Sequence, residues 1–203
     1  MTGPYGDTAR DYLAAGWGSP LPLPLRRKRS PPDGWTGRTA PDASGADVEV
    51  WCEDHAHGNI AMRLHRGIIG MDVDAHKGDL AAAAWEKLIS DHGPLPAHAP
   101  WCTSRDDGIS GIRLFRVPED YVAVGVMGAA GEVIQHHHRY VVVPPSVSPA
   151  PPSGTGRPYK WLNLANGHIP LREELPVLPT AWQDALRAGT RDTGHAEIGR
   201  AHV

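Results

Sequence analysis

A mixed α+β domain is what this sequence predicts, on three observations. Gly67-Ile-Ile-Gly-Met-Asp72-Val-Asp74 reads as a short apolar strand ending in two carboxylates, and a helical pattern from Asp79 to His92 follows it directly. His57–Leu64 and Ser110–Val117 alternate with the period of two that strands show. Glu132–Val143 reads as a further strand system, closed by Pro144-Pro-Ser-Val-Ser-Pro.

The elements follow in chain order. Asp7–Ala15 carries Ala9, Tyr12 and Leu13 at helical spacing, with Thr8 or Asp7 as the expected N-cap and Gly16 as the stop. Gly16-Trp-Gly-Ser-Pro-Leu-Pro-Leu-Pro-Leu25 is extended. Gly37–Gly45 is a polar loop, and Asp47–Cys52 begins a short helix or strand. In His57–Leu64, Ile60, Met62 and Leu64 oppose Asn59, Ala61 and Arg63. The helix over 79–92 shows a stripe of Leu80, Ala84 and Leu88 with Trp85 and Ala81, Asp79 as cap and Gly93-Pro94 as stop. Strand, carboxylate turn and helix together frame a unit that returns the chain beside its previous strand. Trp101–Ser104 is the next strand and Ser104–Gly108 a polar turn. In Ser110–Val117, Arg113 and Phe115 share one face, with Ile112 and Leu114 on the other. Gly154–Arg157 is a turn, Tyr159–Leu162 a last strand, Pro179–Arg187 a terminal helix, and the stretch from Gly189 a frayed tail.

At 203 residues the chain fits one domain with a short appendage: a core over about 8–170, then a helical appendage and tail over 171–203. A net charge of −3 with neutral histidines argues against a surface coated in basic charge, while leaving room for a local patch. Cys52 and Cys102, each after a tryptophan, exclude a disulfide scaffold and read as two buried thiols in a reducing compartment. No apolar run approaches the length of a membrane span and no signal-peptide core opens the chain, so the expected location is cytoplasmic, with no membrane partner.

The chemistry centres on Asp72 and Asp74. On a strand they point the same way, roughly 7 Å apart, and repel unless a cation lies between them. Oxygen-only ligands suit Mg²⁺, which fills its remaining positions with water and substrate phosphates. Taken alone, the pair reads first as a strand end whose two aspartates face water; the motifs that follow change that balance. Glu132 supplies a third carboxylate, completing a set able to hold two divalent ions for in-line displacement at phosphorus. Arg113, His137 and Arg139, with Ser110 and Lys77, offer contacts for a triphosphate. Arg26-Arg27-Lys28-Arg29, after an extended segment and before a proline/glycine turn, reads as a grip on nucleic-acid phosphates or as a solvated basic loop. Two other readings of the histidines stay open: a zinc site of His136–His138 with Cys52, His55 and His57, and strand packing, where His136 and His138 share a face that His137 does not.

The order of these motifs carries a resemblance. Asp72-x-Asp74, the Ser110-Gly-x-Arg113 strand, and Glu132-Val-Ile-Gln-x-His-His-Arg-Tyr140 with Pro-Pro-Ser146 together resemble the bifunctional DNA primase/polymerase domain of the archaeo-eukaryotic primase superfamily. Tyr12-Leu, Gly16-Trp with Pro-Leu-Pro-Leu, Lys28 with Pro31-Pro-x-Gly-x-Thr-Gly37, and Gly58-Asn-Ile-Ala-x-Arg63 are similar to it too, so the likeness spans Tyr12–Trp161. It implies a small α/β module packed with a module like the RNA-recognition motif, the active site lying between them. It also implies that Asp72, Asp74 and Glu132 hold two Mg²⁺ or Mn²⁺ ions, that nucleoside triphosphates are substrates, and that single-stranded DNA template and primer are partners. A further implication is that the chain is the N-terminal part of a longer phage- or plasmid-type replication protein with a fused or associated helicase. The second motif departs from the family pattern: Arg113 stands near where relatives carry a nucleotide-contacting histidine, and many relatives have aspartate in place of Glu132.

The function expected is template-dependent nucleotidyl transfer. The alternatives, in descending order, are a primer-extending or nucleotide-binding domain that depends on a helicase, a metal-dependent nuclease, and a non-catalytic nucleic-acid-binding module.

Overall fold

The computed structural model describes residues 3–149, 155–164 and 168–188. Among them are four α-helices, α1 (Pro4–Ala14), α2 (Gly45–Asp54), α3 (Asp79–His92) and α4 (Thr180–Ala188). Eight strands accompany them: β1 (Pro20–Leu23), β2 (Asn59–Met62), β3 (Ile68–Val73), β4 (Trp101–Thr103), β5 (Gly111–Arg116), β6 (Gly131–Gln135), β7 (Val141–Val143) and β8 (Lys160–Leu162). They form two antiparallel sheets, a small one ordered β1-β2-β7 and a larger one ordered β6-β3-β5-β4-β8.

The larger sheet has a helix layer on one side and the small sheet on the other. Ile69, Met71 and Val73 of β3, with Phe115 and Val133, pack against Trp85 and Leu88 of α3 and Trp182 and Leu186 of α4. Ile68, Cys102, Leu114, Ile134 and Trp161 face the other way and merge with β1, β2, β7, α1 and α2 in one core. Alternation along β3 and β5 thus assigns each side chain to one of two cores. The two sheets are also tied by polar bonds: the Cys102 thiol donates to the Val142 carbonyl, Trp161 Nε1 to the Tyr12 hydroxyl, and that hydroxyl to the Pro144 carbonyl. Both cysteines are free, buried thiols.

Several expectations change here. The chain does not return directly beside β3 after α3: β4 runs parallel to β3 but one place away, and antiparallel β5 fills the gap through a β4–β5 hairpin. Helix α1 begins three residues earlier than Asp7, with Gly3 as N-cap and Pro4 in the first turn, where a fixed φ and a missing N–H cost nothing. The ambiguous segment is helix α2, started by a capping box in which Ser44 and Asp47 bond each other's backbone. Gly78, at φ +121, rather than Asp79, occupies the N-cap of α3. The buried line of that helix is Ala81, Trp85 and Leu88, while Leu80 is 78% exposed.

Strand β2 has no polar face, because the small sheet is covered on both sides; its four residues are all buried. Asn59 is satisfied by bonds to the carbonyls of Arg27 and Val147 and from the Val147 amide. Just past the strand, buried Arg63 donates to the carbonyls of Gly37, Ala40, Pro41 and His136. The stretch after β6 is not one strand. The chain turns at His136–His138 and crosses to the other sheet as β7, so strand alternation does not apply to the three histidines. The expected tail from Gly189 and part of the expected 154–157 turn lie outside the described residues.

Candidate functional site

A cleft of about 450 Å³ opens between the two sheets at the C-terminal end of β3. Two glycines build that end. Val73 is paired with Gly111 on one side and Gly131 on the other, both in the left-handed region at φ +146 and +147. A Cβ at Gly131 would overlap the Asp72 carbonyl oxygen, and one at Gly111 would press on Cys102 and Thr103. Close approach of β5 and β6 here is what sets the carboxylates beside one another.

Asp72 lies on the cleft face of β3, directly opposite Glu132 of β6. Burial first, then the charges of Asp74 and Glu132, push its carboxyl up to about 6; Lys28 and Lys77 oppose this more weakly. Asp74 is the first residue past the strand, in the turn leading to Ala75–Lys77, where its carboxylate takes a 2.6 Å ion pair from Lys77. Glu132 Oε2 lies 2.8 Å from Arg139 Nη1, yet it is buried and receives no aligned hydrogen bond, so the contact is coulombic. Ser110 Oγ accepts from the His76 amide and Asp107 Oδ1 accepts from the Ser110 amide, which ties the turn after β3 to the start of β5.

The facing wall is cationic. Lys28, Arg29, Arg105 and Arg139 line the cleft with Tyr140 and Tyr159. Lys28 is exposed as a residue, but its ammonium reaches inward to 5.5 Å from the Tyr159 ring centre. Burial and Arg105 lower its affinity for a proton, while Asp72 and Asp74 raise it. The segment is placed by its backbone: the Asn59 amide donates to the Arg27 carbonyl and the Tyr140 hydroxyl to that of Lys28.

Of the sequence-predicted residues, the fold brings Asp72, Asp74, Glu132, Ser110, Arg139, Lys77, Lys28 and Arg29 to this end of the sheet. Arg113 goes elsewhere. It sits on the opposite face of β5, its guanidinium 4.2 Å from the Trp101 ring centre and 5.2 Å from that of Trp85. Burial there lowers its pKa to about 10. His137 is in the turn against His136, near Arg38 and Arg66 and away from the cleft. Arg26 and Arg27 are exposed and do not line the cleft. The sequence reading missed Arg105, His76, Tyr140 and Tyr159 as cleft residues; Arg105 stands in a turn that carried only a polarity signal.

The donor chemistry fits a hard divalent cation: oxygens only, one carboxyl whose pKa burial and its acidic neighbours raise, and one buried carboxylate oxygen without a hydrogen bond. Among the described residues, no three Cys, His, Asp or Glu side chains converge closely enough to hold a metal, because Asp74 and Glu132 turn to Lys77 and Arg139. Cys52, His55, His57 and the histidine run form no such cluster among the described residues either. No helix among the described residues is long and apolar enough to cross a membrane.

The family described as "Bifunctional DNA primase/polymerase, N-terminal" matches residues 9–181. No curated protein and no solved structure matches the chain. The matched segment takes in both sheets, all three carboxylates and the cationic wall, and the chain belongs to the bifunctional DNA primase/polymerase family, whose chemistry is nucleotidyl transfer on DNA.

Proposed function

We propose that the chain is a template-dependent DNA primase/polymerase whose transfer site is the cleft carrying Asp72, Asp74 and Glu132. One observation carries the reading. Asp72, Asp74 and Glu132 gather at one end of the larger sheet, where burial first and the two neighbouring charges second keep Asp72 from ionising readily, and four cationic side chains line the adjoining cleft of about 450 Å³. That is a place for a polyanion together with the cations it brings.

Magnesium or manganese held by Asp72, Asp74 and Glu132 would make a 3′-hydroxyl more acidic and neutralise charge on the triphosphate and departing pyrophosphate. The chain's own residues position the rest. Arg139 exchanges Glu132 for phosphate oxygens, Lys77 does the same from Asp74, and Lys28, Arg29 and Arg105 hold the triphosphate from the opposite wall. Ser110 serves by fixing the turn that carries Asp74 and His76. Catalysis then rests on positioning and charge neutralisation.

In this reading the larger sheet with α3 and α4 is the module like the RNA-recognition motif, and the small sheet with α1 and α2 is the other module. The chain acts in the cytoplasm as the N-terminal part of a phage- or plasmid-type replication protein, beside a helicase, on single-stranded DNA.

The test is incorporation of labelled deoxynucleotide or ribonucleotide on single-stranded DNA with Mg²⁺ or Mn²⁺. Metal-dependent product from the wild type and none from Asp72→Ala/Asp74→Ala is expected, and omission of primer separates initiation from extension. Equal product from the folded double variant would overturn the assignment, and metal-dependent degradation of DNA without nucleotides would replace it with a nuclease.

A further inference from the structure

A second cleft, of about 600 Å³, opens at the other end of β3 and β5, around Gly67, Ile68, Arg116 and Val117. Five arginines line it against three carboxylates, Asp42, Glu119 and Glu173. Two of the arginines are occupied: Arg63 by the four carbonyls it binds and by Asp42, 3.4 Å away, and Arg116 through the Leu175 carbonyl. Arg38 and Arg66 are exposed and, among the described residues, have no carboxylate within ion-pair distance. Their charge reaches the neighbouring imidazoles. After burial, Arg66 and Arg38 are among the groups that hold His136 below its ordinary protonation range, and Arg38 and Arg66 act on His137 in the same sense. The cleft therefore has space and an excess of positive charge, with two arginines that no carboxylate pairs among the described residues.

Its position says what kind of anion fits. His136 lines this cleft and Arg139, three residues on, lines the acidic one, so the 136–139 turn joins the two. The strand β3 that separates their floors spans about 17 Å, the axial length of about five nucleotides of a helical strand. A small anion would fill one cleft; a polymeric phosphate backbone spans both.

We infer that the second cleft is a phosphate-binding groove for the backbone of a nucleic-acid strand whose other end lies in the acidic cleft, with Arg38 and Arg66 as its free contacts. This rests on the polymerase reading for what happens in the acidic cleft, but not for binding itself.

The experiment is fluorescence anisotropy of the full chain, without metal, using a labelled oligothymidine of about 12 nucleotides over a series of salt concentrations. A labelled nucleoside triphosphate is measured in parallel. Arg38→Ala/Arg66→Ala is expected to weaken oligonucleotide binding at least about tenfold and to reduce the slope of log K against log salt by about 1.4, as for two lost phosphate contacts. Arg38→Lys/Arg66→Lys keeps most of that slope, and triphosphate affinity stays at the wild-type value in both. Both side chains are exposed, and an unchanged circular-dichroism melt establishes that the variants are folded. Wild-type affinity and slope in the alanine variant would overturn the groove, and so would loss of triphosphate binding with oligonucleotide binding retained. A wild type that binds no oligonucleotide overturns it as well. Wild-type binding that depends on these arginines, with no synthesis under any metal, leaves the groove standing and removes the polymerase reading alone.

Discussion

The two faces of the larger sheet treat charge in opposite ways. On the face under α3 and α4, Arg113 is enclosed between Trp85 and Trp101, with one guanidinium nitrogen buried and unbonded. On the other face, one residue away along the paired strand, Asp72 looks into an open cleft beside Glu132. The first charge is absorbed as packing, a planar cation stacked on aromatic rings. The second sits beside like charges, which the lysines Lys28 and Lys77 offset only in part. A single step of strand alternation separates an ion packed between aromatic rings from one that faces an open cleft.

The largest expected effect sharpens this contrast. Asp72→Asn removes the carboxylate while keeping its shape, and is expected to lower synthesis at least about a hundredfold while making the metal-free protein more stable. The sign follows from the raised pKa. Between about pH 4 and pH 6 the folded chain retains a proton on Asp72 that the unfolded chain has released, so folding stability falls as pH rises through that window. The loss, on the order of 3 kcal/mol at most, is fully present above the folded pKa and disappears in Asp72→Asn. Chemical denaturation of both proteins at pH 4 and pH 7.5 checks it; a pH slope as steep in the variant as in the wild type would break the account.

Next in size is the exchange of the two arginines. Arg139→Ala is expected to raise KM for the incoming nucleotide about tenfold, because its guanidinium faces the cleft. Arg113→Ala is expected to leave that KM within about twofold and to lower stability by about 1–3 kcal/mol. Steady-state kinetics and denaturant melts on the same preparations decide; the reverse pattern would return Arg113 to the site. Smaller again is Asn59→Ala, which loses three buried hydrogen bonds, including the one that holds the segment before Lys28. A loss of about 2 kcal/mol with a modest rise in nucleotide KM is expected, and an unchanged KM would show that Lys28 and Arg29 find the cleft without that anchor.

Much of this was legible in the residues. The limits of α3 followed from its flanking Asp79 and Gly93-Pro94, the strand before it and the opposed faces of β5 followed from apolar pattern, and the grouping of Asp72, Asp74 and Glu132 followed from motif order. What could not be read was set by tertiary pairing. The crossing from one sheet to the other at His136–His138 contains no glycine or proline to announce it. Arg105 enters the cleft because β4 pairs with both β5 and β8, a long-range fact invisible in a polar turn. Arg113 was placed on the correct strand face, but the aromatic box on that face comes from α3 and β4. The second cleft draws on loop 38–42, the 63–68 turn, the end of β5, His136 and Arg172, and no local pattern joins them.

Arg63 sets the relative position of two loops. One rigid guanidinium holds Gly37, Ala40 and Pro41 at one side and His136 at the other, bridging segments far apart in the chain. Arg38 sits within the first segment and Arg139 at the end of the second. One planar side chain therefore fixes where the loop that carries Arg38 stands relative to the turn that leads to Arg139, so the two clefts these arginines line share a common anchor.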